Sequence, residues 1–235
     1  MAVVSPLSAT KTVTAMLALT AVTGLVDAVS YLRLGRVFVA NMTGNVVFLG
    51  LSVYPHSGLQ AGASATAIGA FIAGAFCAGW LASRLSHEAR QWLLGALGIE
   101  ATILAVVAIL TDTGVLGFVG DVRYWTIAIF AVALGFHNGT ARYFGVADLT
   151  TTVLTMALTG LSADSVYAGG PGAKPTRRIG SVLAMLVGAL VGATLLRWSA
   201  SAAIGLAALV VALVAASFAL AEREVPRELE VGSSK

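Results

Sequence analysis

The chain has 235 residues, of which 58% are hydrophobic and 11% are charged, and its mean hydropathy is +0.91. Soluble domains carry about 25% charged residues, so this composition excludes a soluble domain, a coiled coil and a nucleic-acid-binding module. The length allows roughly six to eight crossings of a lipid bilayer. A single cysteine, Cys77, excludes a disulfide framework and a multi-cysteine metal site. The composition predicts an all-α polytopic membrane protein.

Six apolar stretches are predicted to cross the membrane, because each has 18 or more residues. In chain order they are 12–32, 61–83, 91–110, 124–141, 179–196 and 198–221. Two shorter stretches, 41–54 and 148–161, have 14 residues each. That length is typical of re-entrant or interfacial segments, so each is predicted to be a short re-entrant or broken helix.

The positions of the basic residues favour six crossings over eight. With six, ten of the 14 Lys and Arg residues lie on the side of the N-terminus; the other four are Arg33, Arg36, Arg123 and Arg197. With eight crossings the division is at best 8 to 6. The positive-inside rule therefore predicts that both termini are cytoplasmic. Eight crossings remain the alternative.

Three segments of the first half recur in the same order in the second half. Residues 24–27 match 135–138, 39–46 match 146–153 and 74–77 match 188–191, at offsets of 111, 107 and 114 residues. Because three crossings is an odd number, the second copy would enter the membrane inverted. The predicted organisation is a cytoplasmic N-terminus at 1–11, repeat 1 at 12–112, repeat 2 at 113–221 and a charged cytoplasmic tail at 222–235.

The starts of the two short segments form the predicted solute site. Asn41 and Asp148 are preferred helix N-caps, and a helix N-terminus at membrane depth offers free amides and a positive dipole end. The predicted substrate-binding residues are Asn41, Thr43, Gly44, Asn45, Asn138, Asp148, Thr150 and Thr151. The alternative is that Asn41 and Asp148 only cap two helices.

Three carboxylates are candidates for proton or ion coupling: Asp27, Glu100 and Asp148. Asp27 follows Thr20 and Thr23 at helical spacing, which predicts a polar face turned towards the bundle interior. The alternative places Asp27 at the interface, paired with an arginine. Glu100 lies near the middle of the third span, either as part of a proton relay or as a protonated group bonded to a neighbouring helix.

Other features predict packing rather than chemistry. His137 is interpreted as a packing or hydrogen-bonding residue, since no second histidine or acid at ligand spacing supports a metal site. The small residues on the second and fifth spans predict close helix contacts. They are Gly69, Ala73, Gly74 and Ala78, and then Gly188 and Gly192.

These features together predict a transporter or permease for a small polar or ionic solute, with its site near the bilayer midplane. A channel of the same architecture and a non-transporting scaffold or accessory subunit are the alternatives. An enzyme is not expected, because no nucleophile–base pair or metal cluster is visible. No cofactor, metal or nucleic-acid partner is predicted, and a homo-oligomer is left open.

Three stretches resemble the YoaK family of bacterial inner-membrane proteins, catalogued as domain of unknown function 1275. They are residues 24–31 (GLVDAVSY), 35–45 (GRVFVANMTGN) and 148–155 (DLTTTVLT). The resemblance covers nearly the whole chain, and ANMTGN is its most specific element. It implies a small multi-pass protein of the bacterial plasma (inner) membrane with about six spans, and it transfers no substrate, cofactor or catalytic residue.

Overall fold

The computed structural model describes residues 9–85, 89–144, 154–170, 172 and 175–220. Within these residues the regular structure is entirely helical, as predicted. The eight α-helices are α1 (Ala9–Arg33), α2 (Met42–Leu51), α3 (Ala61–Leu85), α4 (Ala89–Asp112), α5 (Val122–Phe144), α6 (Leu154–Ala163), α7 (Pro175–Leu195) and α8 (Ala200–Leu220). A single 3₁₀ turn, Val166–Ala168, follows α6.

Five of the described helices, α1, α3, α4, α7 and α8, are long and apolar enough to cross a membrane. Helix α1 is the most buried of these five. The sixth predicted span corresponds to α5, which has 23 residues but is not among the five. Its C-terminal half contains His137 and Asn138, which lower its apolar character. The finding supports a polytopic membrane protein.

The two short stretches form helices of only 10 residues each, α2 and α6. A helix of that length spans about 15 Å at 1.5 Å per residue, half of the hydrocarbon thickness. The Asn41 side chain caps α2 by accepting a hydrogen bond from the amide of Gly44, as predicted. The proposed cap of the second segment, Asp148, lies outside the described residues.

The main helix pairs are not formed between sequence neighbours: α1 packs on α7, α3 on α5 and α4 on α8. Glycines bring the first two pairs into backbone contact. A Cβ on Gly24 would overlap the carbonyl oxygen of Met185, and one on Gly188 would overlap that of Ala21. Small residues permit this approach where lipid supplies no hydrophobic driving force.

The pair α3–α5 has the same kind of contact. A Cβ on Gly74 would overlap the carbonyl oxygen of Val132, and one on Gly135 would overlap that of Phe71. The predicted packing role of Gly74, Ala78, Gly188 and Gly192 is confirmed by their close contacts or burial. The prediction was wrong for Gly69 and Ala73, which are exposed because they lie on a different face of α3.

Several helix termini lie together at one end of the bundle. The Arg33 guanidinium at the end of α1 lies 5.0 Å from the ring centre of Phe118, in the loop between α4 and α5. Gly62, at the start of α3, lies against Tyr124 at the start of α5. Asp112 at the end of α4 accepts a 2.7 Å hydrogen bond from Ser201 at the start of α8. The end of α1 and the start of α3 are therefore at the same end, with α2 between them.

Candidate functional site

Between α1 and α2 the chain turns back into the bundle as a non-helical segment. The turn uses positive φ angles at Gly35 (90°) and Arg36 (59°). Val37, Val39 and Ala40 of this segment are completely buried. Non-helical backbone is tolerated in a membrane domain only where it is enclosed by protein or lines an aqueous cavity. The buried amides of this segment therefore need partners from the protein.

Asp27 is the partner of two of these amides. Its Oδ1 accepts hydrogen bonds of 2.9 Å from the amides of both Val39 and Ala40. Asp27 lies six residues before the end of α1, or about 9 Å below it. Thr20, Thr23 and Asp27 are all buried, which confirms the predicted inward-facing side of α1. Asp27 Oδ2 is buried without a hydrogen-bond partner, so Asp27 is not paired with an arginine as in the alternative, whereas its depth in the bilayer stays a prediction.

Asn45 holds the same segment from the side of α2. Its Nδ2 donates to the carbonyl oxygen of Phe38 at 2.6 Å, and its Oδ1 accepts from the Phe38 amide at 2.9 Å. The Phe38 ring stacks between Tyr31 and Phe48, with ring centres 5.1 and 5.6 Å away. A Cβ on Gly44 would lie 2.7 Å from this ring, so Gly44 makes room for Phe38.

The predicted site residues of the first half thus form one unit with two kinds of position. Asp27 and Asn45 are buried and bonded to backbone, whereas Asn41 and Thr43 are exposed at the start of α2. The hydrogen bond by which Asn41 caps α2 is long, at 3.4 Å from the Gly44 nitrogen to Asn41 Oδ1. We therefore separate a supporting pair, Asp27 and Asn45, from a pair that is free to contact a solute, Asn41 and Thr43.

The structure describes only one of the predicted site residues of the second half, Asn138. Asn138, on α5, is half-buried and donates a 2.8 Å hydrogen bond to the carbonyl oxygen of Leu134 in its own helix. Asp148, Thr150 and Thr151 lie outside the described residues. The structure therefore leaves the convergence of the two segment starts a prediction.

Glu100 pairs with a histidine that the sequence analysis interpreted as a packing residue. Glu100 Oε2 lies 2.9 Å from His137 Nδ1, and both side chains are at most 2% exposed. This buried pair joins α4 to α5 near the middle of both helices. Sequence contains a signal for it. The two helices form a hairpin, Glu100 lies 12 residues before its loop-side end at Asp112, and His137 lies 15 residues after the other end at Val122.

The described residues contain no group of three or more His, Cys, Asp or Glu side chains that could hold a metal ion. A second ion pair, Arg178–Asp164 at 2.7 Å, has a carboxylate that is 41% exposed and joins α7 to the end of α6. Its position at a helix end distinguishes it from the Glu100–His137 pair, which is enclosed on all sides.

Comparison with known proteins gives two matches. The family model described as "Protein of unknown function (DUF1275)" matches residues 15–217. The chain is 35% identical, over 156 residues, to the UPF0700 transmembrane protein YoaK of Bacillus subtilis (strain 168). The aligned region covers 65% of this chain and 66% of the Bacillus protein, just under two thirds of its length. No solved structure matches.

Proposed function

The chain belongs to the DUF1275 family, as its resemblance to the YoaK proteins indicated, and we propose that it transports a small polar or ionic solute. Membership of this family, a transmembrane relative and five apolar helices establish a multi-pass membrane protein. Transport is the function that its geometry supports best. The proposal includes a bacterial plasma membrane location, cytoplasmic termini and no enzymatic activity.

The observation that carries the proposal is the buried non-helical segment at residues 37–40. Interrupted helices that meet near the membrane midplane form the binding sites of many transporters. Here the non-helical backbone is stabilised within the bundle, because Asp27 on α1 and Asn45 on α2 form hydrogen bonds with its polar groups. The start of α2 remains exposed, with the side chains of Asn41 and Thr43 available to a solute.

We further propose that the bundle consists of two inverted three-helix repeats, α1–α4 and α5–α8. An internal two-fold axis exchanges α1 with α5 and α3 with α7, so the pair α1–α7 should have a counterpart in α5–α3, which is found. The contacts between α2 and α3 likewise correspond to those between α6 and α7.

The glycine contacts support the same two-fold relation residue by residue. Gly24 and the Met185 carbonyl it approaches correspond to Gly135 and the Phe71 carbonyl. The α1 and α5 positions differ by 111 residues and the α3 and α7 positions by 114, the offsets expected from sequence. Gly188 with Ala21, and Gly74 with Val132, follow the same two offsets.

The topology can be tested with single cysteines introduced into a Cys77→Ala protein. In spheroplasts, cysteines at Arg33 and Arg123 should react with a membrane-impermeant maleimide from the same side. A cysteine at Arg142, at the other end of α5, should react only after permeabilisation if the first two do not. All three side chains replaced are exposed or half-buried at helix ends. Labelling of the cysteines at Arg33 and Arg142 from the same side of the membrane would contradict six crossings and favour eight.

Transport can be tested by a ligand screen followed by an uptake assay. Purified protein is screened by thermal shift against alkali cations, ammonium, halides, phosphate, amino acids, sugars and nucleobases. A stabilising solute is then measured in proteoliposomes by counterflow. We expect Asn41→Ala to weaken its binding about tenfold or more, since the loss of one direct polar contact corresponds to roughly 1.4 kcal/mol.

The matched control is Val53→Ala, which changes an 86% exposed side chain just beyond the other end of α2. It should leave solute binding unchanged. A scaffold role would be favoured instead if no solute stabilises the protein and Asn41→Ala only lowers its stability. A channel would be indicated by uptake that shows no counterflow.

A further inference from the structure

The Glu100–His137 pair has unused polar atoms on both partners. Besides the 2.9 Å contact, Glu100 Oε1 and His137 Nε2 are buried and have no hydrogen-bond partner. Thr140 Oγ1, one helical turn further along α5, is also buried without a partner. Buried polar atoms are nearly always satisfied, so three in one place require an explanation.

These atoms share a small cavity of about 10 Å³. Its polar lining consists of Glu100, His137 and Thr140, and its apolar lining is Met16, Leu19, Leu93, Ala96, Leu97 and Ala141. That volume is about enough for one water molecule, which needs two to four polar partners. The cavity extends from the pair towards the end of the bundle where α4 begins and α5 ends, because Leu93 precedes Glu100 and Ala141 follows His137.

Apart from Glu100 and His137, none of the described side chains that line the cavity is ionisable. Helix α8, which packs on α4, has no acidic or basic residue. Basic side chains towards the same end of the bundle include Lys11 on α1, Arg84 on α3 and Arg142 on α5, which are exposed. Arg177 and Arg178, half-buried at the start of α7, lie towards this end as well, and Arg178 pairs with Asp164. Asp27 lies two turns beyond Leu19 on α1 and bonds to backbone amides.

In this setting a single proton decides the charge of the pair. With one proton, Glu100 and His137 are neutral in total, either as carboxylate and imidazolium or as carboxylic acid and imidazole. Without it the pair carries one negative charge, which is costly at membrane depth unless water or protein dipoles compensate. Glutamate and histidine chains of this kind form proton relays in transporters.

We propose that Glu100 and His137 form a proton-binding site, which exchanges one proton with water through the cavity beside Thr140. Proton binding transfers H⁺ from water to the pair, and release returns it, with no other bond changed. The coupling of this proton to solute movement rests on the proposed transport function, whereas the site itself does not.

The test is nuclear magnetic resonance of ¹⁵N-histidine-labelled protein in nanodiscs of phosphatidylethanolamine and phosphatidylglycerol. The chain has three histidines, so a His56→Gln/His87→Gln protein reports on His137 alone. We expect the His137 ring nitrogens to change between their charged and neutral signals as the pH is varied from about 5 to 9. Glu100→Gln should move the midpoint by about one pH unit or more, because it removes the adjacent charge.

Asp112→Asn is the matched control, since it neutralises a carboxylate on the same helix about 18 Å from the pair. It should leave the midpoint unchanged. If Glu100→Gln does not fold, Glu100→Asp replaces it, and the shorter carboxylate should also shift the midpoint.

His137 signals that stay constant across this pH range would overturn the proton site, as would a midpoint that ignores both changes at Glu100. If His137 titrates as expected but the protein takes up no solute in proteoliposomes, only the transport function would be contradicted.

Discussion

Gly74→Ala is expected to destabilise the protein by about 3 kcal/mol, at the upper end of the cost of overpacking a core. The added methyl group would overlap the carbonyl oxygen of Val132, which belongs to the backbone of α5 and has no rotamer by which to move away. The two helices must therefore separate along their whole contact. The measurement is the free energy of unfolding in an SDS titration of the purified protein in mixed micelles.

Gly79→Ala provides a control on the same helix. No atom lies within 4 Å of the position that its Cβ would occupy. Because alanine has a higher helix propensity than glycine by up to about 1 kcal/mol, this variant should be as stable as the original protein or slightly more so. Equal stability of the Gly74 and Gly79 variants would show that α3 and α5 are not in backbone contact.

Gly188→Ala extends the comparison to the other half of the chain. Its Cβ would overlap the carbonyl oxygen of Ala21, in the pair α1–α7 that corresponds to α5–α3. If the two pairs are related by an internal two-fold axis, the loss should resemble that of Gly74→Ala. A large loss for one and none for the other would argue against the inverted repeat.

Asp27→Ala is expected to cost about 4 kcal/mol. The substitution removes the side-chain oxygen that accepts hydrogen bonds from the amides of Val39 and Ala40, two completely buried residues. An unsatisfied buried donor costs about 1–3 kcal/mol, and there are two of them. Unfolding in the same SDS titration measures the loss, and trypsin sensitivity at Arg36 should report release of the segment.

Asp27→Asn separates the acceptor from the charge. The remaining side-chain oxygen can still accept hydrogen bonds from both amides. We therefore expect Asp27→Asn to lower the free energy of unfolding by only about 1 kcal/mol, because its new NH₂ group would replace Oδ2, which has no partner. Asn41→Ala, which removes an exposed cap, should likewise cost about 1 kcal/mol or less. An Asp27→Ala protein as stable as Asp27→Asn would mean that Asp27 does not hold the segment.

Much of the fold could be predicted from local pattern. Apolar length predicted the helices, and the two 14-residue stretches predicted α2 and α6, because periodicity and composition act over neighbouring residues. Capping chemistry predicted the start of α2 at Asn41. The spacing of Thr20, Thr23 and Asp27 predicted which side of α1 faces inward.

The contacts that build the site were harder to predict, because their partners are distant or leave no trace in side-chain identity. Asp27 bonds to the amides of Val39 and Ala40, and every residue except proline has such an amide. His137 and its partner Glu100 are 37 residues apart on different helices, so no local pattern joins them, although counting from the hairpin loop places both at similar depth. Gly69 and Gly74 are both glycines of α3 among other small residues. Because they are five residues apart, they lie on different faces of the helix, and only Gly74 contacts α5.

The cross-half helix pairs have a consequence for biogenesis. Gly24 contacts the backbone of Met185 on α7, although 161 residues separate the two in sequence. At a synthesis rate of about 5–20 residues per second, α1 waits roughly 10 to 30 s in the membrane before α7 is made. Throughout that interval the glycine face of α1 lacks its partner α7, whereas α3 lacks its partner α5 for a shorter time, because α5 is made before α7. A ribosome that stops before α7 therefore leaves an inserted fragment in which the Gly24 face of α1 has no helix to cover it.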